Sequence, residues 1–210
     1  RVSLANAFAA AVLMPYGPFL RAANETRHDI ELMGHRFRTS WEQVCHRLTA
    51  LRRPGHEGIP FHLVRIDVAG NISKRHSASG IRFSRFSGAC PRWVVHQAFL
   101  TPGMVRTQVS EMPDGAVYFC FARALRKGWG GHDSPHPVQS IGMGCRVEHA
   151  KHIVYADGTD ANVRIPVGIT CRACERTACA YRAMPSLQQP LEIDVNQRGE
   201  AIFAAVDDKS

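Results

Sequence analysis

The sequence predicts an α+β fold with a helical N-terminal part, an antiparallel-sheet region in the middle and a cysteine-rich segment near the end. Three observations carry that expectation. Apolar residues recur at helical spacing behind a capping signal before Pro60, two hairpin patterns follow it, and Cys171-x-x-Cys174-x4-Cys179 comes late. The 210 residues, 45% hydrophobic and 21% charged, suffice for one large or two small domains with a real core. Residues 1–60, 61–137 and 138–210 are read as three regions, the first helical, the middle one α+β and the last holding the clustered cysteines.

The elements follow in order. Ala5 to Leu13 is alanine-rich and apolar, and Met14-Pro15-Tyr16-Gly17-Pro18 should stop it. It opens at Arg1 without a Met and is read as part of a longer protein. Asp29 to Gly34 suits a short helix. Trp41 to Arg53 is the clearest one: Thr39-x-x-Glu42 reads as a capping box, Trp41, Val44, Cys45, Leu48 and Leu51 share one face, and Pro54-Gly55 closes it. Phe61 to Val68 and Ile72 to His76 pair around Gly70-Asn71, and Met104 to Met112 pairs with Ala116 to Leu125 around Pro113-Asp114-Gly115. AVYFCFARAL is apolar on both faces and so belongs at the centre of the sheet, with Cys120 as core. Pro91 to Phe99 suits a short helix with Pro at its first position. Gly128 to Pro137 reads as a loop and domain boundary. A strand over Val138 to Met143, a helix over Arg146 to Tyr155, an Asp157-Gly158 turn and a strand over Ala201 to Val206 complete the chain, with Asp207 to Ser210 as a frayed tail.

Composition narrows the function. The apolar start is about half a membrane span and interrupted by Asn6, so neither a membrane segment nor a signal peptide is expected. A net charge of +8, from 26 Lys and Arg against 18 Asp and Glu, suggests an anionic partner. The basic residues are scattered, which disfavours a nucleic-acid tail and leaves a phosphate-bearing small molecule. Seven cysteines, clustered as CRACERTAC, do not suit a secreted disulfide framework and point to the reducing cytoplasm.

Three thiols so close in a polar stretch suit thiolate ligation of a metal, and Arg172 and Arg176 favour the thiolate form. Structural zinc usually takes a second Cys or His pair, which is missing here. Three local cysteines and one remote one fit a four-cysteine iron–sulfur cluster better, with zinc as the second choice. Cys45 and Cys120 sit on core faces, so the remote ligand is Cys90 or Cys145. Each precedes an expected helix, and Cys90 is preferred on its pairing with Pro91 alone. Lys74 and Arg75, beside a tight turn, are candidates to meet a ligand phosphate, with Arg82 and Arg85 behind them. Trp93, His96 and Phe99 could line the ligand pocket, against the alternative that they are core.

The alanine-rich start, Ala5-Asn6-Ala7-Phe8-Ala9-Ala10, resembles a segment of the ImmA/IrrE zincin-like proteins. Phe37 to Leu51, AGNISKR at Ala69 to Arg75, Cys90-Pro91-x-Trp93, and Pro166 through Pro185 around the cysteines resemble the short-chain acyl-CoA-responsive transcription regulators. The likeness covers nearly the whole chain and is strongest to actinobacterial members that control propionate use through the methylcitrate cycle. It implies an effector region that binds CoA or a short acyl-CoA such as propionyl-CoA. It also implies a [4Fe–4S] cluster, a homo-oligomer larger than a dimer with a tetramer as the expectation, and a DNA-binding helix-turn-helix outside this sequence. Residues 1–60 then become a helical remnant of the zincin-like region. No His-Glu-x-x-His occurs, since Pro60 stands where the second His belongs, so peptidase activity is not expected and the chain is read as no enzyme. A cluster-dependent hydro-lyase, which needs an open iron site, and a zinc-stapled interaction module without ligand are the alternatives.

Overall fold

The computed structural model describes residues 2–84, 88–128, 131–134, 136–177, 179–188 and 203. Four helices come first: α1 (Val2–Leu13), α2 (Tyr16–Glu25), α3 (Ile30–Phe37) and α4 (Trp41–Thr49). α1 ends at Leu13, before Pro15, as the sequence suggested, and a second helix starts at once within the same Pro- and Gly-containing stretch. Pro15 is the N-cap of α2 and Pro18 lies in its first turn, where a missing N–H costs nothing. α3 is capped by Asp29, whose carboxylate accepts from the N–H groups of Glu31 and Leu32. The capping box of α4 lies one residue later than expected. Ser40 Oγ accepts from Gln43 N–H at 3.3 Å and Gln43 Oε1 from Ser40 N–H at 2.8 Å, which releases Glu42 for ion pairing.

Six strands form one sheet: β1 (His62–Asp67), β2 (Ile72–Ser77), β3 (Val105–Glu111), β4 (Val117–Arg126), β5 (Val138–Arg146) and β6 (Arg164–Pro166). Their order is β2-β1-β5-β4-β3-β6, antiparallel except where β6 runs parallel to β3. Both expected hairpins are present, β1–β2 and β3–β4. β5, beyond the Gly128–Pro137 loop, lies between β1 and β4, so that loop connects strands within one sheet.

The period-2 alternation of strands divides the core in two. Leu63, Phe119, Phe121, Ile141, Met143 and Cys145 face the helices and pack with Phe19, Met33, Val44, Cys45 and Leu48. Val64, Ile66, Tyr118, Ala122 and Ala124 face the other way, beneath Trp93, Val94, Val95 and Ala98. The helix expected from Pro91 begins only at Val94: α5 (Val94–Gln97) has Trp93 as N-cap and runs into a 3-10 turn at Ala98–Leu100. Cys90 therefore precedes a turn, and no helix dipole acts on it. The helix expected over Arg146 to Tyr155 is instead two 3-10 turns, Val147–His152 and Val154–Ala156. The strand expected at Ala201 to Val206 falls outside the described residues except for Phe203. No helix among those described is long and apolar enough to cross a membrane.

Candidate ligand cleft and cysteine cavity

The sheet face away from the helices carries the candidate site. β1 turns His62 and Val64 onto it, β4 turns Tyr118 and Cys120, and α5 lies across. A buried polar brace fixes α5. Val94 N–H donates to Gln108 Oε1 at 3.0 Å, Gln108 Nε2 donates to Arg92 O at 2.9 Å, and Ser110 Oγ donates to the same Oε1 at 3.1 Å. Between α5 and the sheet is an apolar slot walled by Ile81, Phe83, Trp93, Met112 and Tyr118, with about 30 Å³ of free space.

His62 stands in its wall with Nδ1 2.8 Å from Ser79 Oγ and Nε2 3.9 Å from Cys120 Sγ. Burial pushes the His62 imidazole down to about 3. Burial likewise pushes the Cys120 thiol up to about 12, against a hydrogen bond with Ser110. Both groups are neutral near pH 7, so they are no activated nucleophile and present a wall compatible with hydrocarbon.

Ile81, Met112 and Tyr118 also border an open cleft of about 430 Å³, whose rim holds Arg82, Asp114, Cys174 and Glu175. Cys174 belongs in turn to a third, small hollow of about 10 Å³ lined by Cys90, Cys171, Cys174 and Cys179. That is near the least room that holds a single water. The segment just after β6 comes back against Cys90, whose N–H donates to Ile169 O at 3.1 Å, while Trp93 Nε1 donates to Gly168 O at 2.8 Å. Gly168 must stay small, because a Cβ there would stand 2.6 Å from Cys174 Sγ. Arg182, nearly buried, donates to Cys171 O at 2.9 Å and to Arg176 O. Arg176 donates to Val167 O at 3.1 Å and Glu111 O at 2.9 Å, tying the cysteine segment to the end of β3. Ala183 N–H points at Cys171 Sγ, 3.3 Å away. Burial raises the Cys90 thiol above its ordinary range, and the neighbouring Cys171 and Cys174 add to it.

These residues fit a thiolate-held group. Four cysteines line one hollow with Arg92, Arg176 and Arg182, an N–H donates to the sulfur of Cys171, and the described lining holds no carboxylate. Among the described residues, no three His, Cys, Asp or Glu side chains stand as one ion would need them.

The other predicted residues separate. Cys145 is fully buried on the helix face, across the sheet from the hollow, and Cys45 lies in the same core. Cys120, expected as core, packs against the core of the slot face and also lines the slot. Lys74 and Arg75, taken together in the sequence, point to opposite faces of β2. Lys74 Nζ donates to Glu42 Oε1 at 3.2 Å on the helix side, and Arg75 donates to Ser84 O at 2.6 Å. Arg82 borders the cleft and Trp93 walls the slot. His96 packs against Gly70, where a Cβ would be 3.2 Å from its Cε1, and lies outside the slot lining. Phe99 packs on the core of that face, and Arg85 is outside the described residues. Sequence reasoning missed His62 and Tyr118. The alternation of His62 with Val64 and Ile66 was the signal that could have placed His62.

Residues 50–203 match a family described as short-chain fatty acyl coenzyme A regulator, C-terminal, and residues 2–49 match an IrrE N-terminal-like domain. A protein named propionyl-CoA carboxylase regulator, from Cereibacter sphaeroides, is 49% identical over 99% of this chain and 45% of its own length. The HTH-type transcriptional regulator PrpR of Mycobacterium tuberculosis is 47% identical over 93% of this chain and 41% of its own. A solved Mycobacterium tuberculosis transcriptional regulator superposes with a TM-score of 0.90 at 45% identity, covering 97% of this chain and 63% of that one. The chain thus spans less than half the length of the curated relatives it matches, and these are named as regulators, not enzymes.

Proposed function

The chain belongs to the short-chain fatty acyl coenzyme A regulators, and on that footing we propose that it is the effector region of a cytoplasmic transcription regulator of propionate metabolism. It binds CoA or a short acyl-CoA such as propionyl-CoA and carries a [4Fe–4S] cluster on Cys90, Cys171, Cys174 and Cys179. A helix-turn-helix elsewhere in the full-length protein reads DNA, and the assembly is a homo-oligomer, with a tetramer expected. Residues 1–60 serve as a zincin-like scaffold, 61–137 contribute most of the ligand site and 138–210 the cluster segment, across one shared sheet.

The observation that carries this reading is the shared wall: Cys174 borders both the open cleft and the four-cysteine hollow. Arg82 at the cleft rim meets a CoA phosphate, and the slot beyond Tyr118 takes the acyl chain. When bound, the cluster supplies a fixed cross-link among four thiolates. Arg176 and Arg182 hold the segment's backbone in place for it, and Arg176 passes its position to β3 through Glu111. Acyl-CoA acts by favouring one assembly over another, which is a shift of population and not a reaction.

The test is the visible spectrum with iron and sulfide analysis of anaerobically purified protein, beside Cys174→Ala, Cys90→Ala and Cys145→Ala, followed by calorimetric titration with propionyl-CoA. A broad visible band lost in the first two variants and kept in the third is the expected result. A colourless protein holding stoichiometric zinc removes the cluster, and absence of any thioester binding removes the effector reading.

A further inference from the structure

On the slot face, β5 presents no side chain at two alternate positions, Gly142 and Gly144, flanked in register by Val64 and Ala122 and by His62 and Cys120. Neighbours have filled that bare strip. A Cβ at Gly142 would stand 2.2 Å from Val95 Cγ1, and one at Gly144 would stand 2.6 Å from His62 Nε2 and 2.8 Å from Cys120 Sγ. Val95 thus drops from α5 onto the first glycine, while His62 and Cys120 converge over the second. All three line the slot, whose remaining 30 Å³ is room for about two water-sized groups.

His62 is locked by Ser79 at 2.8 Å, and Val95 follows Val94, whose N–H is held by Gln108. The stop is therefore stiff, since none of these side chains can retreat into the sheet without meeting backbone.

We propose that Val95, His62 and Cys120, seated on Gly142 and Gly144, form the stop that limits how long an acyl chain the slot accepts, with Val95 and Cys120 as its specificity-determining side chains. The inference rests on the reading of cleft and slot as the acyl-CoA site. A chain of two or three carbons ends against the stop, and each further methylene has to displace Val95 or the thiol. Neither Cys120 nor His62 is charged, so the stop sorts by length alone.

The experiment is calorimetric titration of the anaerobically purified chain with CoA and its acetyl, propionyl, butyryl and hexanoyl thioesters. It is repeated for Val95→Ala, Cys120→Ala, the near-isosteric Cys120→Ser, and Val95→Ile. Both alanine variants should move the preferred thioester one or two carbons longer, with about 10-fold tighter binding of the longer homologue, the low end of what one methylene gives in an apolar pocket. Cys120→Ser should keep the original ranking and Val95→Ile should shorten it, while CoA itself binds all variants alike and so reports an intact cleft. If every variant ranks the thioesters as the unaltered chain does, the stop is wrong and the acyl-CoA reading stands. If the unaltered chain binds no thioester, both fall.

Discussion

Glu42 accepts from Arg65 at 2.8 Å, Lys127 at 2.7 Å and Lys74 at 3.2 Å, so one carboxylate on α4 gathers cations from β1, β2 and the end of β4. Burial would raise its proton affinity, but the hydrogen bond and charge of Lys127, with Lys74 and Arg65, outweigh that and hold the carboxyl at about 2. A folded pKa below the ordinary one contributes stability that is full above pH 4.5 and is lost as pH falls through about 2. His62 adds acid sensitivity from the other side. Its folded pKa of about 3 against 6.5 means that the unfolded chain takes up the proton first, so stability falls as pH drops from 6.5 toward 3. Glu42→Gln should cost on the order of 2 kcal/mol near pH 7, moderated because its cations remain a quarter to a third open to solvent. Urea unfolding at a series of pH values checks both effects. The Glu42→Gln difference should vanish between pH 4.5 and 2, and a difference independent of pH would deny the hub its electrostatic role.

At the scale of elements, α4 shows how one residue of register changes roles. Thr39 and Glu42 satisfy the capping-box pattern as well as Ser40 and Gln43 do, and the backbone chose the second pair. Had Glu42 capped the helix, it would not have reached Lys127. Ser40→Ala should cost about 1 kcal/mol, the usual worth of an N-cap. Thr39→Ala, which touches Met14 Sδ at 3.7 Å but no cap amide, should cost clearly less by thermal unfolding. The reverse ranking would restore the earlier register. Period-2 alternation was equally decisive in β2 and β5: it parted Lys74 from Arg75 and sent Cys145 to the helix face, away from Cys90.

For the whole molecule, the helices and the sheet's inner face hold the larger apolar core, whereas the cysteine segment is fastened by Arg176, Arg182 and the Trp93–Gly168 bond with few buried apolar side chains. On the proposed reading, such a segment depends on the cluster more than the sheet does. Removing the proposed cluster by oxidation and chelation should open cleavage between residues 171 and 188 in limited proteolysis while the sheet stays intact by circular dichroism; global unfolding would deny the segment this separate dependence. The sequence by itself determined the α+β class, both hairpins and the central place of AVYFCFARAL, because periodicity and turn residues are local properties of the chain. Only the tertiary structure decided that β5 enters between β1 and β4, that His62 and Tyr118 border the slot, and that Cys90, not Cys145, lies beside the three clustered thiols. Those outcomes depend on which face of which strand meets which neighbour, and strand order is set by packing between segments far apart in the chain.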